Sequence, residues 1–142
     1  INQKPIPLFD DYGHHPNEIE AVVSTLRNTY PTNRLVVIFQ PHRYSRTRDL
    51  FNEFVSCLSK VDVLILLNIY SANETPIKKI SSSTLADSIR QRSAIDPIVV
   101  KNSSEIMAIL PNVVAENDII LTLGAGDVHK IPQKLKNHFA IN

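Results

Sequence analysis

Short apolar runs punctuate the chain, and apolar positions at helical spacing fill the intervals between them. Ile6 to Phe9 reads as a first strand, after which Ile19, Val22, Val23 and Leu26 recur as one face of a helix. Leu35 to Phe39 is a second strand, followed by a helix around Leu50, Phe51, Phe54, Val55 and Leu58. The stretch from Val61 to Ile69 contains Val63-Leu64-Ile65-Leu66-Leu67, apolar at every position. A run apolar on both faces suits a parallel sheet covered by helices. Ser81 to Thr84 offer N-caps for a helix carrying Leu85 and Ile89. Pro97 precedes a strand at Ile98 to Val100. Ser103 or Ser104 can cap the next helix, which Pro111 is expected to end or kink. Ile119 to Leu123 is the next strand, and Ile131, Leu135 and Phe139 mark a last helix. This alternation predicts an α/β fold: an open, mainly parallel sheet of about five or six strands with helices on both faces.

No composition break interrupts the pattern, and 142 residues suit one domain, since domains commonly run to ~100–150 residues. Such a chain can bury a core without metal or disulfide staples. Lys and Arg number 15 against 14 Asp and Glu, so there is no electrostatic case for nucleic acid. Cys57, the single cysteine, cannot form an internal disulfide and lies in a helical apolar pattern, which predicts a buried, inert thiol. One cysteine fits a reducing compartment. There is no secretory leader pattern and no apolar run long enough to span a bilayer, so no membrane is expected. The chain opens without Met and enters its first strand almost at once, which fits a fragment of a longer protein.

Chemistry concentrates in three polar turns, each after an apolar run. Asp10-Asp11-Tyr12-Gly13-His14-His15-Pro16 sets two carboxylates, a phenol and two imidazoles before a helix that Pro16 can begin. A helix N-terminus suits phosphate or carboxylate. His15 reads equally as a site residue or a structural one. Gln40-Pro41-His42-Arg43-Tyr44-Ser45-Arg46-Thr47-Arg48 follows the second strand. Arg43 and Arg46 are three apart, so on a helical turn they share a face and repel unless an anion lies between them. Guanidinium forks match carboxylate and phosphate oxygens. Arg48 reads instead as a partner for acids of its own helix, Asp49 or Glu53. Gly124-Ala125-Gly126-Asp127 follows the last strand, its glycines letting backbone approach a ligand. All three turns should lie on the carboxyl edge of a parallel sheet, where open α/β sheets bind ligands. Asn68 to Lys79, the longest polar connection, can carry a β-ribbon or a substrate loop.

Other chemistries fare worse. The glycine pair lacks the full G-x-G-x-x-G spacing, and no G-x-x-x-x-G-K-[ST] loop is present to hold nucleotide phosphates. His14, His15, Asp10, Asp11, His42 and His129 could ligate a metal, but adjacent histidines on a strand point to opposite faces and no H-x-x-x-H pair occurs, so no metal site is expected. A serine hydrolase lacks its G-x-S-x-G elbow.

The strings D-D-Y-G-H-H-P, P-H-R-Y-S-R-T and L-G-A-G-D, in this order and spacing, resemble the C-terminal domain of the Mur ligases across essentially the whole chain. The arginine string is closest to members that join L-alanine to UDP-N-acetylmuramate. The murein tripeptide recycling ligases are similar in the first string but usually lack the second. The resemblance implies an ATP-dependent ligase of peptidoglycan synthesis in the bacterial cytoplasm. Its N-terminal domain would bind the UDP-sugar, and its central domain would hold ATP and Mg2+. A C-terminal, Rossmann-like domain, here residues 1–142, would bring the amino acid. The γ-phosphate would pass to the muramyl carboxylate, and the amine of L-alanine would attack that acyl phosphate. Carried over by motif, Asp11 and His14 would contact ATP. Tyr12, His14, Arg43, Arg46, Gly124, Ala125, Gly126 and Asp127 would form the L-alanine pocket. No catalytic residue is expected within this fragment alone. The alternatives are a recycling-ligase domain and a stand-alone α/β module for an anionic ligand.

Overall fold

Each apolar run becomes a strand, and every strand pairing is parallel among the residues described, 6–138, in this computed structural model. The strands are β1 (Leu8–Asp11), β2 (Arg34–Phe39), β3 (Val63–Leu67), β4 (Ile98–Val100) and β5 (Asp118–Leu123), in the spatial order β1-β5-β2-β3-β4. The helices are α1 (Pro16–Thr29), α2 (Tyr44–Asp49), α3 (Phe51–Leu58), α4 (Ser82–Arg92), α5 (Ser103–Val113) and α6 (Ile131–His138), with a 3₁₀ turn at Asp127–Lys130 before the last.

Strand alternation sorts the core into two layers. Leu35, Val37 and Phe39 of β2 pack with Ile19, Phe54, Leu58 and Leu85 from α1, α3 and α4. Val36 and Ile38 face the other way, with Ile106 and Leu110 of α5 and Leu135 of α6. The sheet is thus covered on both faces, which explains why its central strands are apolar throughout. The chain lays β1 to β4 out in one direction, then α5 returns across the opposite face and β5 inserts between β1 and β2. Connections diverge to opposite faces there, at the carboxyl ends of β1, β5 and β2, the place where open α/β sheets generally bind ligands.

Several local expectations shift. The first strand runs to Asp11 rather than ending at Phe9, because Asp10 and Asp11 stay in register with Thr122 and Leu123. The Thr122 hydroxyl donates to Asp10 Oδ1 at 2.6 Å, which satisfies a carboxylate inside the ladder. The helix expected around Leu50 divides, with Leu50 the hinge between α2 and α3. Ser81 caps α4, but Asn102, not Ser103 or Ser104, caps α5: its extended backbone aims Oδ1 at the Glu105 N–H, 3.0 Å away. Pro111 does not end α5, which continues to Val113. The proline removes one bond to the preceding turn, and the Val114 N–H to the Leu110 carbonyl, 2.9 Å, carries the turn past it. Phe139 and the side chain of His138 lie outside the described residues.

Candidate functional site

Register alone brings the three polar turns together. Leu123 lies opposite both Asp11 and Phe39, so β1, β2 and β5 end level with one another. The Gly124 N–H donates to the Asp11 carbonyl (3.2 Å) and the Gln40 N–H to the Leu123 carbonyl (3.1 Å), which knits the three exits into one surface.

In the first turn, Asp11 Oδ1 accepts from the Gly13 N–H at 2.7 Å. A Cβ on Gly13 would stand 2.9 Å from that oxygen and would displace the Asp11 carboxylate from its hydrogen bond. His14 Nδ1 is 2.9 Å from the Tyr12 carbonyl, which can only accept; the proton therefore sits on Nδ1 and leaves Nε2 for a ligand. His15 is the N-cap of α1. Its Nδ1 accepts from the Asn17 N–H (3.2 Å), and Glu18 reaches back to its N–H (3.1 Å). The His14 and His15 N–H groups hold the Glu18 carboxyl below its usual range. Of the two readings open for His15, the structural one describes its contacts. Tyr12 is 64% exposed and leans over His129, ring centres 5.9 Å apart.

The second turn depends on an unusual backbone. Arg43 has φ +74° and is the N-cap of α2, so it precedes the helix on which Arg46 rides rather than sharing its face by helical spacing. Its N–H donates to the Tyr70 carbonyl at 2.7 Å, and the Tyr70 N–H donates to the Pro41 carbonyl at 2.8 Å. Glu74 accepts from the Ser45 N–H at 3.0 Å and from the Ser45 hydroxyl. His42 stacks on Tyr70 (5.4 Å, 19°) and lies 5.6 Å from the His14 ring. Burial, His14, Arg46 and Arg43, in that order, push the His42 pKa below the ordinary imidazole value. Two buried side-chain atoms among the described residues lack a hydrogen-bond partner, His42 Nδ1 and Arg46 Nη1. Neither Arg43 nor Arg46 has an ion-pair partner among the described residues, whereas Arg48 pairs with Asp49 at 2.8 Å. Two guanidiniums without ion-pair partners among the described residues, one carrying an unsatisfied buried N–H, have the donors to take an anion.

The third turn closes on the second. Gly124 has φ +135°, and a Cβ on it would stand 2.8 Å from Val128. A Cβ on Gly126 would stand 2.7 Å from the Tyr70 ring and 2.8 Å from Gln40 Oε1. Ala125 is half-buried and Asp127 is exposed beside Lys130, 3.8 Å away. The structure therefore brings Asp11, Tyr12, His14, Arg43, Arg46 and Gly124 to Asp127 to one edge.

The profile of the Mur ligase glutamate ligase domain matches residues 1–126. The chain belongs to the Mur ligase family. It is 60% identical over 139 residues to the UDP-N-acetylmuramate–L-alanine ligase of Ruthia magnifica subsp. Calyptogena magnifica, covering 98% of this chain and 30% of that protein. The chain thus spans about a third of the length of the curated relatives it matches. Its fold is that of the UDP-N-acetylmuramate-alanine ligase of Thermotoga maritima (TM-score 0.69, 24% identity, 93% of this chain and 27% of that one). The murein peptide ligase of Psychrobacter arcticus shares the fold too (TM-score 0.66, 18% identity, 96% of this chain and 28% of that one).

In this Mur ligase domain three further residues shape the site, and motif reading assigned them nothing. Gln40 is 6% exposed; its Nε2 donates to the Asn68 carbonyl (3.2 Å) and its Oε1 accepts from the Val128 N–H (3.0 Å). A glutamine ending an apolar strand was the available signal. Tyr70 and Glu74 come from the Asn68–Lys79 connection, whose length was the only hint. Behind the glycine turn is a cavity of about 250 Å³ lined by Gln40, Lys101, Lys130 and Lys134 among others. Lys134 already donates to Ser103 at 2.7 Å, and Lys130 faces Asp127. No group of three His, Cys, Asp or Glu among the described residues could hold a metal ion. Cys57 is buried in α3, and burial pushes its thiol up to about 12, which makes it an inert core residue. No helix among the described residues is long and apolar enough to cross a membrane.

Proposed function

We propose that this chain, residues 1–142, is the single C-terminal domain of an ATP-dependent ligase that joins L-alanine to UDP-N-acetylmuramate in bacterial peptidoglycan synthesis, in the cytoplasm. The observation that carries the reading is the arginine turn, where Arg46 Nη1 is buried without a partner and neither arginine is ion-paired among the described residues. A free amino acid offers the carboxylate such a turn lacks. High identity to L-alanine ligases over nearly the whole chain supports the choice of amino acid.

In this reading Arg43 and Arg46 grip the alanine carboxylate and so orient its amine. Tyr12 and the Gly124–Asp127 turn wall the small side chain. ATP, when bound, supplies the phosphoryl group that activates the muramyl carboxyl. The second carboxylate oxygen of Asp11 and His14 Nε2 have no protein hydrogen bond among the described residues, and they fit ribose hydroxyls, which both donate and accept. Magnesium would be held mainly by the phosphate-holding domain of the full-length enzyme, together with the ATP phosphates.

The test is kinetic and uses the full-length enzyme. Arg43→Ala or Arg46→Ala raises the KM for L-alanine about ten- to a hundredfold, since a charged hydrogen bond contributes roughly 1.5–3 kcal/mol. The KM for the UDP-sugar stays close to its original value. Lysine at either position rescues in part, because an ammonium lacks the planar fork. Unchanged alanine kinetics with a lowered melting temperature would mean that the pair is structural.

A further inference from the structure

We propose that Glu74 is the positioning residue of the arginine turn, and that the segment from Tyr70 to Glu74 sets how well the site holds the amino-acid carboxylate; this rests on the reading of Arg43 and Arg46 just given. Arg43 stands at φ +74°, a conformation that a bulky side chain rarely keeps unless its surroundings impose it. What imposes it comes from one distant segment. The Tyr70 carbonyl takes the Arg43 N–H at 2.7 Å, and the Tyr70 N–H holds the Pro41 carbonyl at 2.8 Å, so the two segments form a short parallel bridge. On the far side of Arg43, the Glu74 carboxylate takes both the N–H (3.0 Å) and the hydroxyl of Ser45. Arg43 is thus fixed before and after its own Cα by groups about 30 residues away in sequence. The Thr47 hydroxyl, 2.8 Å from the Arg43 carbonyl, adds a side-chain restraint from within the turn.

Glu74 does this without forming an ion pair with either arginine. Both its oxygens are engaged by Ser45. The Ser45 hydrogen bonds, side chain first and then backbone, hold its carboxyl below the usual range, with Arg43 adding a smaller pull. It is therefore an anion that shapes the turn while leaving the guanidiniums for an incoming one. Tyr70 couples the same segment to the glycine turn: its ring lies where a Cβ on Gly126 would fall, and it stacks on His42.

The experiment compares Glu74→Ala, Glu74→Gln and Ser45→Ala in the full-length enzyme, measuring KM for L-alanine, UDP-sugar and ATP, kcat and melting temperature. Glu74→Ala is expected to raise the L-alanine KM about tenfold with the other two KM values within twofold and the melting temperature within a few degrees. Glu74→Gln keeps one accepting oxygen for the Ser45 N–H and recovers part of the loss. Adding Ser45→Ala to Glu74→Ala produces no further loss, because both act through one contact. An L-alanine KM within twofold of the original in both Glu74 variants overturns the inference. So does a rise shared equally by all three substrates with a fall in melting temperature, which marks a merely structural loop. If the Arg43 and Arg46 variants raise the L-alanine KM while the Glu74 variants do not, this inference alone falls. If none of the four affects it, the reading of the arginine pair falls as well.

Discussion

At the scale of single residues, His42 carries the most readable consequence. It is faced by His14 from the first turn, Arg43 and Arg46 from its own, and Glu74 from the long connection, and it stacks on Tyr70. Burial and three cationic or cationisable neighbours outweigh the one carboxylate, so its pKa in the folded state lies below the unfolded value of about 6.5. The unfolded chain then binds the proton more readily than the folded one. Stability is complete above that unfolded value and is lost as pH falls from it through the lower folded pKa. Thermal melts from pH 7.5 to 5 should show a falling transition, and His42→Asn should flatten the slope whatever it does to the plateau. Equal slopes in the two proteins would remove His42 as the cause. The motif showed that His42 was present; it could not show the neighbours, of which His14, Tyr70 and Glu74 come from other segments.

At the scale of elements, the far edge of the sheet decides stability rather than chemistry. Asp118, 2% exposed at the start of β5, accepts from Arg34 Nε (3.0 Å) and Nη2 (2.7 Å) and from the Ala115 N–H (2.8 Å). The pair locks β5 beside β2 in the register that aligns Leu123 with Phe39 at the other end. Asp118→Ala leaves a backbone N–H and part of a guanidinium without partners. Removing one member of a fully buried pair costs about 3–5 kcal/mol. The Arg34 side chain is 42% exposed and screened by solvent, so about 2 kcal/mol is the better expectation. Urea unfolding measures it; a change under about 0.5 kcal/mol, the scatter of ordinary surface substitutions, would mean that hydrophobic packing alone sets the register. Elements were largely legible: the five runs became the five strands, since a strand buried on both faces must be apolar throughout. Their ends were not, because Asp10 and Asp11 read as turn residues and only their partners on β5 keep them in the ladder.

At the scale of the whole molecule, the three polar turns share the carboxyl edge of one parallel sheet. The sequence contains no G-x-x-x-x-G-K-[ST] loop, and no metal-holding cluster occurs among the described residues. The 142-residue chain by itself should therefore form no product from L-alanine, UDP-N-acetylmuramate and ATP, even though its parallel sheet is covered on both faces. A chromatographic assay for ATP-dependent amide formation checks this. Product from the chain alone would refute the assignment of phosphate handling to another domain.

The sequence by itself determined the fold class, the family and the three turns that carry polar chemistry. Apolar periodicity is local, and the motif strings are local too, so both can be read without knowing what lies opposite. Only the tertiary structure decided which residues serve the arginine turn. Gln40, Tyr70 and Glu74 matter because β5 inserts between β1 and β2 while the connection after β3 folds back over Pro41 to Ser45. That same geometry made His15 a helix cap and left His14 facing the site, a distinction between two adjacent identical residues that depends on the turn's backbone and on Glu18. Hydrogen bonds between segments about 30 residues apart leave no period in a sequence, and an arginine at positive φ looks like any other until its partners are in place.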